Sequence, residues 1–450
     1  MPRICPVDIF SGAGSVRVGE LVFADDLNEP SRSAPAMAFQ YDDQWLKHGF
    51  SLGADLPLVS GIQRPLADPS EGDPVLRSRG ARFGFVCDHA PGAWVGRLFE
   101  LARAPTAYKA ARGGRLQAQI NDLKVNSSGL GDAAGDLWAA SGHLGHRFSA
   151  LSLPLTLGNQ REFSLPQLPS KKPRETAQKV REIAAAFESL AAGRAFRDPR
   201  ELKLLQNCAV DIGGRTPKAL VKLDSPGERV LRLAPPGMPF NPFLVTALAR
   251  VLARRCAIEV VGAVLVGSLG ELEERFDRDC EGRPILALSA ATLVRRRRPT
   301  RAAPLSPAAG WLDVADILNR EGAQTSRDLE ELFKRLLFNS LIGNSRDRID
   351  QIWFTRVSGG WKLLPMYEPT ASAAPAAGAP RQLSTPLRGA ARAVSADAVV
   401  AAARYFGVKP AQAKALRLEF MRTISDWRRE AEALGADFFA LNAMAPIFTL

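Results

Sequence analysis

LFKRLLFNSLIGNSRDRIDQIWFTRVSGGWKLLPMYE, residues 332–368, changes its apolar period within one stretch. Leu329, Leu332, Phe333, Leu336, Leu337 and Leu341 recur at three-and-four spacing, which predicts one apolar face of a helix beginning near Thr325. IWFTRV (352–357) and WKLLPM (361–366) then read as two strands around Ser358-Gly359-Gly360. Between helix and hairpin lies a polar loop carrying Arg346, Asp347, Arg348, Asp350 and Gln351, and the second strand ends at Tyr367-Glu368. Long helix, polar loop, hairpin and acid, in that order, suit a loop that handles phosphate and needs carboxylates. This loop opens instead with two arginines.

Working outward, residues 207–234 hold two β-type runs, ALVKL and RVLRLA, around the turn DSPGE, with Gly213-Gly214 ahead of the first. Asn241 and Pro242 suit the cap and first turn of a helix over FLVTALARVLARR, after which VGAVLVG reads as a strand. From Pro173, the residues Ala177, Val180, Ile183, Ala184, Phe187 and Leu190 predict an amphipathic helix stopped by Gly193, placed here as the close of the first lobe. Earlier still, MAFQYDDQWL and FSLPQLP suit small sheets with connecting loops. ASAAPAAGAPR (371–381) reads as a linker, and SADAVVAAARYF and PAQAKALRLEFMRTISDWRREAEAL as a helical end.

The 450 residues, 46% hydrophobic and 24% charged, are enough for a sizeable core divided into two or three lobes. The amino terminus has no basic segment with a long apolar run, and the most apolar internal stretch, AIEVVGAVLVGSLG, is short and contains Glu259. A cytoplasmic chain without membrane spans is the expectation. Cys5, Cys87, Cys208, Cys256 and Cys280 are too scattered for a metal or redox motif, and His143 and His146 have no further ligands beside them. The net charge of +12 points to an acidic partner, protein or nucleic acid. The densest cluster, Arg295, Arg296, Arg297 and Arg298 within RRRRPTR, reads as an exposed loop or as an anion or partner contact.

Several blocks resemble one family. GGRTPKALV (213–221), EERFDR (273–278) followed by GRP and LSAATLV, then LFKRLLFNSLIGN and GWKLLPMYE, are similar to the blocks of the HipA family, bacterial Ser/Thr kinases that are the toxins of toxin–antitoxin pairs. MAFQYDDQWLKHGFSLGADLPLVSG and PGAWVGRLF are similar to that family's amino-terminal blocks, so the resemblance spans nearly the whole chain. It implies an α+β, protein-kinase-like, two-lobed HipA fold. An added amino-terminal α/β subdomain would occupy 1–165 and couple to the N-lobe; the N-lobe, with glycine loop and hinge, would occupy 166–280, and an all-helical C-lobe 281–450. The partner it implies is a HipB-like helix-turn-helix antitoxin, with DNA reached through that protein.

The same resemblance assigns places to the chemistry. Where the family has its catalytic Asp this chain has Arg346, where it has His it has Arg348, where it has Asn it has Gln351, and where it has the metal-binding Asp it has Glu368. The phosphate-pairing lysine falls on Arg232. Gly213, Gly214 and Lys218 retain the glycine loop, and Glu274, Arg275 and Phe276, followed by Asp277, match the adenine hinge. A guanidinium about 4 Å from a divalent ion repels it by roughly 8 kcal/mol at an effective dielectric of about 20. A third of that weakens magnesium binding roughly a hundredfold, and arginine does not serve as a base. The substitutions favour a pseudokinase that acts by binding, with ATP as a possible ligand countered by Arg232 and Arg346, and without magnesium. Two other readings stand beside it: an active kinase in which Asp347 is the base while Glu368 and Gln351 hold magnesium, and a pocket filled by its own ion pairs, the arginines meeting Glu368 or Asp347. Direct DNA binding through Arg295–Arg298 is a third class.

Overall fold

A computed structural model describes residues 3–11, 14–23, 37–65, 83–89, 151–152, 167–168, 172–191, 199–208, 218–223, 227–234, 241–294, 309–344, 346–372, 381, 383–389 and 394–448. Gly213, Gly214, Arg295–Arg298, His143 and His146 lie outside these residues.

Strands β1 (Arg3–Ser11), β2 (Gly14–Phe23), β3 (Met37–Tyr41) and β4 (Leu151–Ser152) form a sheet in the order β3-β2-β1-β4. β3 shows the two-residue alternation of a half-buried strand, with Met37, Phe39 and Tyr41 inward. Phe39 meets Phe85 of the short helix α2 (Gly84–Asp88), which follows α1 (Asp43–His48) in the chain, edge-on at 5.6 Å. At the end of α2 the buried Asp88 accepts from the amide of Ser289 (2.8 Å), the hydroxyl of Ser289 (2.8 Å) and that of Thr292 (2.7 Å). Phe50 packs on Trp361 at 5.7 Å. Among the described residues, these contacts dock the first subdomain on the carboxyl-terminal lobe, which presents the donors that Asp88 accepts from.

The second sheet is ordered β5-β6-β7-β9-β8, from β5 (Gln167–Leu168), β6 (Lys218–Leu223), β7 (Glu228–Leu233), β8 (Ala263–Val266) and β9 (Gly270–Glu274). One face, through Ala219, Val221, Leu231 and Leu272, shares a core with Val180, Ile183 and Phe187 of α3 (Pro173–Ala191) and Leu205 of α4 (Pro199–Cys208). Helix α3 therefore covers this sheet and does not close the first lobe, since its apolar stripe matches the face that β6 and β7 present. The opposite face looks toward α5 (Phe243–Arg255), whose Leu244, Leu248 and Leu252 belong to the large core of the carboxyl-terminal lobe.

That lobe is built from β10 (Leu288–Ser289), α6 (Ala290–Leu293), α7 (Trp311–Glu321), α8 (Thr325–Ile342), β11 (Trp353–Val357), β12 (Gly360–Leu363), α9 (Ala396–Ala401), α10 (Pro410–Ser425), α11 (Trp427–Ala433) and α12 (Phe438–Phe448). Leu332, Phe333, Leu336, Leu337 and Phe338 bury the apolar face of α8, and Gly343 ends it in the left-handed conformation at φ 63°. Strands β10, β11 and β12 form a three-stranded sheet. Its hairpin turns at Gly359 and Gly360; a Cβ on Gly360 would sit 2.2 Å from the carbonyl of Glu321. No described helix is long and apolar enough to cross a membrane.

Candidate functional site: a charged layer between two apolar cores

Alternation along β6, β7 and β9 sends Leu231, Leu272 and their neighbours to one core and places Lys218, Arg232, Glu271 and Glu273 on the other face. Arg232 lies opposite Lys218 on β6 and opposite Glu271 on β9. It donates to Glu271 at 2.8 Å and Glu273 at 3.4 Å, and it forms an ion pair with Glu368 from the segment after β12. Arg250 of α5 bonds the same two acids, Glu271 at 2.6 Å and Glu273 at 3.1 Å. The ring of Phe243 lies 4.7 Å from the Arg232 guanidinium. Arg232, Arg250, Glu271 and Glu273 are buried, with Glu368 at the rim.

Burial governs the protonation of this layer. It pushes Glu273 above the ordinary carboxylate range against the pull of Arg250 and Arg232. Lys218 is lowered to about 8 by burial and then by the facing Arg232. Tyr367, next to Glu368, is raised by burial and by the charge of Glu273. Glu368 has φ 52°, in the left-handed region that side chains other than glycine seldom enter.

At the hinge the side chains are engaged within the protein. Phe276 stands 5.3 Å from Trp353 and 5.0 Å from Tyr367, in a small cluster with Val261, Ala287 and Leu364. Asp277 accepts from Arg275 at 2.7 and 2.6 Å and from Arg278 at 2.6 Å, and its carbonyl receives the amide of Ile285. The amide of Glu274 donates to Gly262, and its carboxylate receives Arg229 at 3.5 Å.

The loop after α8 departs from its expected form at Asp347. In place of a solvated carboxylate beside Arg346 and Arg348, Asp347 is 4% exposed. One oxygen accepts the amides of Ser384 (2.6 Å) and Thr385 (3.2 Å), the other accepts the indole N–H of Trp311 (3.1 Å), and Thr385 returns a hydroxyl bond to its carbonyl. Burial raises its pKa to about 7 despite these donors. Arg348 pairs instead with Asp350, its Nε donating at 3.0 Å. Arg346 is exposed, its amide held by the side chain of Asn344, and among the described residues its guanidinium has no carboxylate partner. Gln351 ends a 3-10 turn, Ile349–Gln351, and donates its amide to the carbonyl of Arg348.

The structure thus joins Lys218, Arg232 and Glu368 in one layer and keeps Asp347 apart from it as an anchor for residues 384–385. Glu368, the carboxylate expected at the metal position, forms an ion pair with Arg232, and among the described residues no three His, Cys, Asp or Glu side chains converge. A phosphate would meet Arg232 and Lys218. Sequence reasoning missed Glu271, Glu273, Arg250 and Trp311. Two acids spaced by two in the strand run GELEE, and one arginine among the apolar residues of α5, were the available signals.

Residues 210–428 match the family described as HipA-like C-terminal domain. No curated protein matches the chain by sequence. Among solved structures, the chain is similar to the HipA of Shewanella oneidensis MR-1, from a complex of the toxin–antitoxin proteins HipA and HipB with operator DNA. The match has a TM-score of 0.58 and 14% identity, and it covers 98% of this chain and 95% of that one. Residues 210–428 therefore belong to the HipA-like C-terminal domain family, and the chain has the α+β HipA-like fold over nearly its full length.

Proposed function

We propose that this chain is a HipA-like pseudokinase that acts by binding, as a toxin–antitoxin component or regulator in the bacterial cytoplasm. The observation that carries the reading is the ion pair between Arg232 and Glu368: the two positions where the family has its phosphate-pairing lysine and metal-binding aspartate neutralise each other. Asp347 adds support, because a base must reach a substrate hydroxyl and both its oxygens are already held by amides and an indole. The proposed partner is a HipB-like helix-turn-helix protein, with DNA reached through it; the HipA similar to this chain was solved with HipB and operator DNA.

The test is phosphate transfer from labelled ATP with magnesium, run beside size-exclusion binding to a HipB-like helix-turn-helix protein. Binding without transfer is the expected result. Transfer that Glu368→Ala abolishes would establish the active kinase in its place. Salt-sensitive retention of the chain alone on DNA, falling when Arg295–Arg298 are neutralised, would overturn the indirect route.

A further inference from the structure

The second sheet and α5 bring the buried Arg232 and Arg250 against the buried carboxylates Glu271 and Glu273. Burying ions is costly, and the desolvation is repaid only by close pairing. A third carboxylate reaches Arg232 from outside this lobe: Glu368, on the segment that leaves β12. It does so from the left-handed backbone conformation, φ 52°, which L side chains seldom adopt. Glu368 is also the member of the pair nearer to solvent, 16% exposed against 3% for Arg232. Among the described residues the Nε of Arg232 has no hydrogen-bond acceptor, so the guanidinium retains donor capacity that the three carboxylates leave unused.

We propose that Glu368 is a built-in anion: its carboxylate occupies Arg232, and a phosphate-bearing ligand enters this layer only by displacing it. The inference deepens the binding-only reading above and rests on it. In this exchange one anion replaces another on the same guanidinium. The pair also bridges the sheet to the carboxyl-terminal lobe, so displacement would exchange a contact within the protein for one through the ligand.

The experiment is calorimetric titration with ATP, and separately with inorganic tripolyphosphate, in excess chelator, on the full chain. The proteins compared are the parent, Glu368→Gly, Glu368→Gln and the double variant Glu368→Gly/Arg232→Met. Glycine accepts the left-handed φ without strain, so Glu368→Gly keeps the fold, which cooperative thermal unfolding verifies; glutamine keeps the size and removes the charge. Both single variants are expected to bind tripolyphosphate at least about tenfold more tightly than the parent, with the gain lost in the double variant. ATP binding that gains while tripolyphosphate does not would assign the effect to the nucleoside and overturn the proposal, as would equal affinity in the parent and both single variants. Helix-turn-helix partner binding and labelled-phosphate transfer, measured on the same proteins, report on the pseudokinase reading separately. Preserved partner binding without any gain sinks displacement alone; transfer by the parent sinks the pseudokinase.

Discussion

At the scale of single residues, Asp347 shows how one position can resemble a base in sequence and act as an anchor in space. Its pKa, raised to about 7 by burial, lies above the ordinary value of 3.8 for the unfolded chain. Between these values the folded protein binds the extra proton, so this group's contribution to stability is complete below about pH 4 and is lost as pH rises through 7. Three pH units correspond to about 4 kcal/mol at most. Asp347→Asn keeps one acceptor for the amides of Ser384 and Thr385 and cannot ionise; its melting temperature should fall less between pH 5 and pH 8 than the parent's. An equal fall in both proteins would assign the pH dependence elsewhere. Arg250 yields a second expectation. Arg250→Met strands part of the charge on Glu271 and Glu273 and should cost about 3–5 kcal/mol in urea unfolding, whereas replacing Arg250, Glu271 and Glu273 together with apolar residues should cost far less. Neither role was legible beforehand. The sequence showed which residues were charged, but the depth of Asp347 depends on Trp311 and Ser384, each more than thirty positions away.

At the scale of elements, the chain was far easier to read. The three-and-four spacing from Leu329 to Leu341 announced α8, and the runs on either side of Ser358-Gly359-Gly360 announced β11 and β12. Period is a local property, fixed by which side chains share a face. What period cannot show is the partner of that face. The stripe on α3 was visible from Pro173 onward, yet only the structure assigns it to the second sheet. The hairpin glycines gain a reason of the same kind. Gly360 turns at φ 150° with the carbonyl of Glu321 where a Cβ would stand, so Gly360→Ala should destabilise by about 2 kcal/mol or more, measured by denaturant unfolding. A loss below about 0.5 kcal/mol would mean that the end of α7 yields.

At the scale of the whole molecule, two apolar cores are separated by a layer of ion pairs. One core lies between the second sheet and α3 and α4; the larger one runs from the first sheet through α5 to α12. Family blocks made the two-lobed plan legible from the sequence, because they recur in a fixed order. The charged layer was not legible, since Arg232, Arg250, Glu271 and Glu368 meet only after three strands and a helix have assembled. The attachment of the first subdomain is likewise a long-range matter. Asp88→Ala leaves two donors of Ser289 and one of Thr292 without their acceptor and should cost about 3 kcal/mol or more, read as faster hydrogen exchange at the face between α2 and α6. Unchanged exchange there would show that Phe50 and Trp361 suffice to hold the subdomain.

The Asp88 junction also has a consequence for how the protein is made. Asp88 and Ser289 are 201 positions apart, and chains grow on the ribosome at about 5–20 residues per second. For roughly 10–40 seconds after α2 is synthesised, the Asp88 carboxylate cannot accept from Ser289 and Thr292, because those donors do not yet exist. The first subdomain is therefore translated early and finished late: its last hydrogen bonds close only when the carboxyl-terminal lobe begins to emerge.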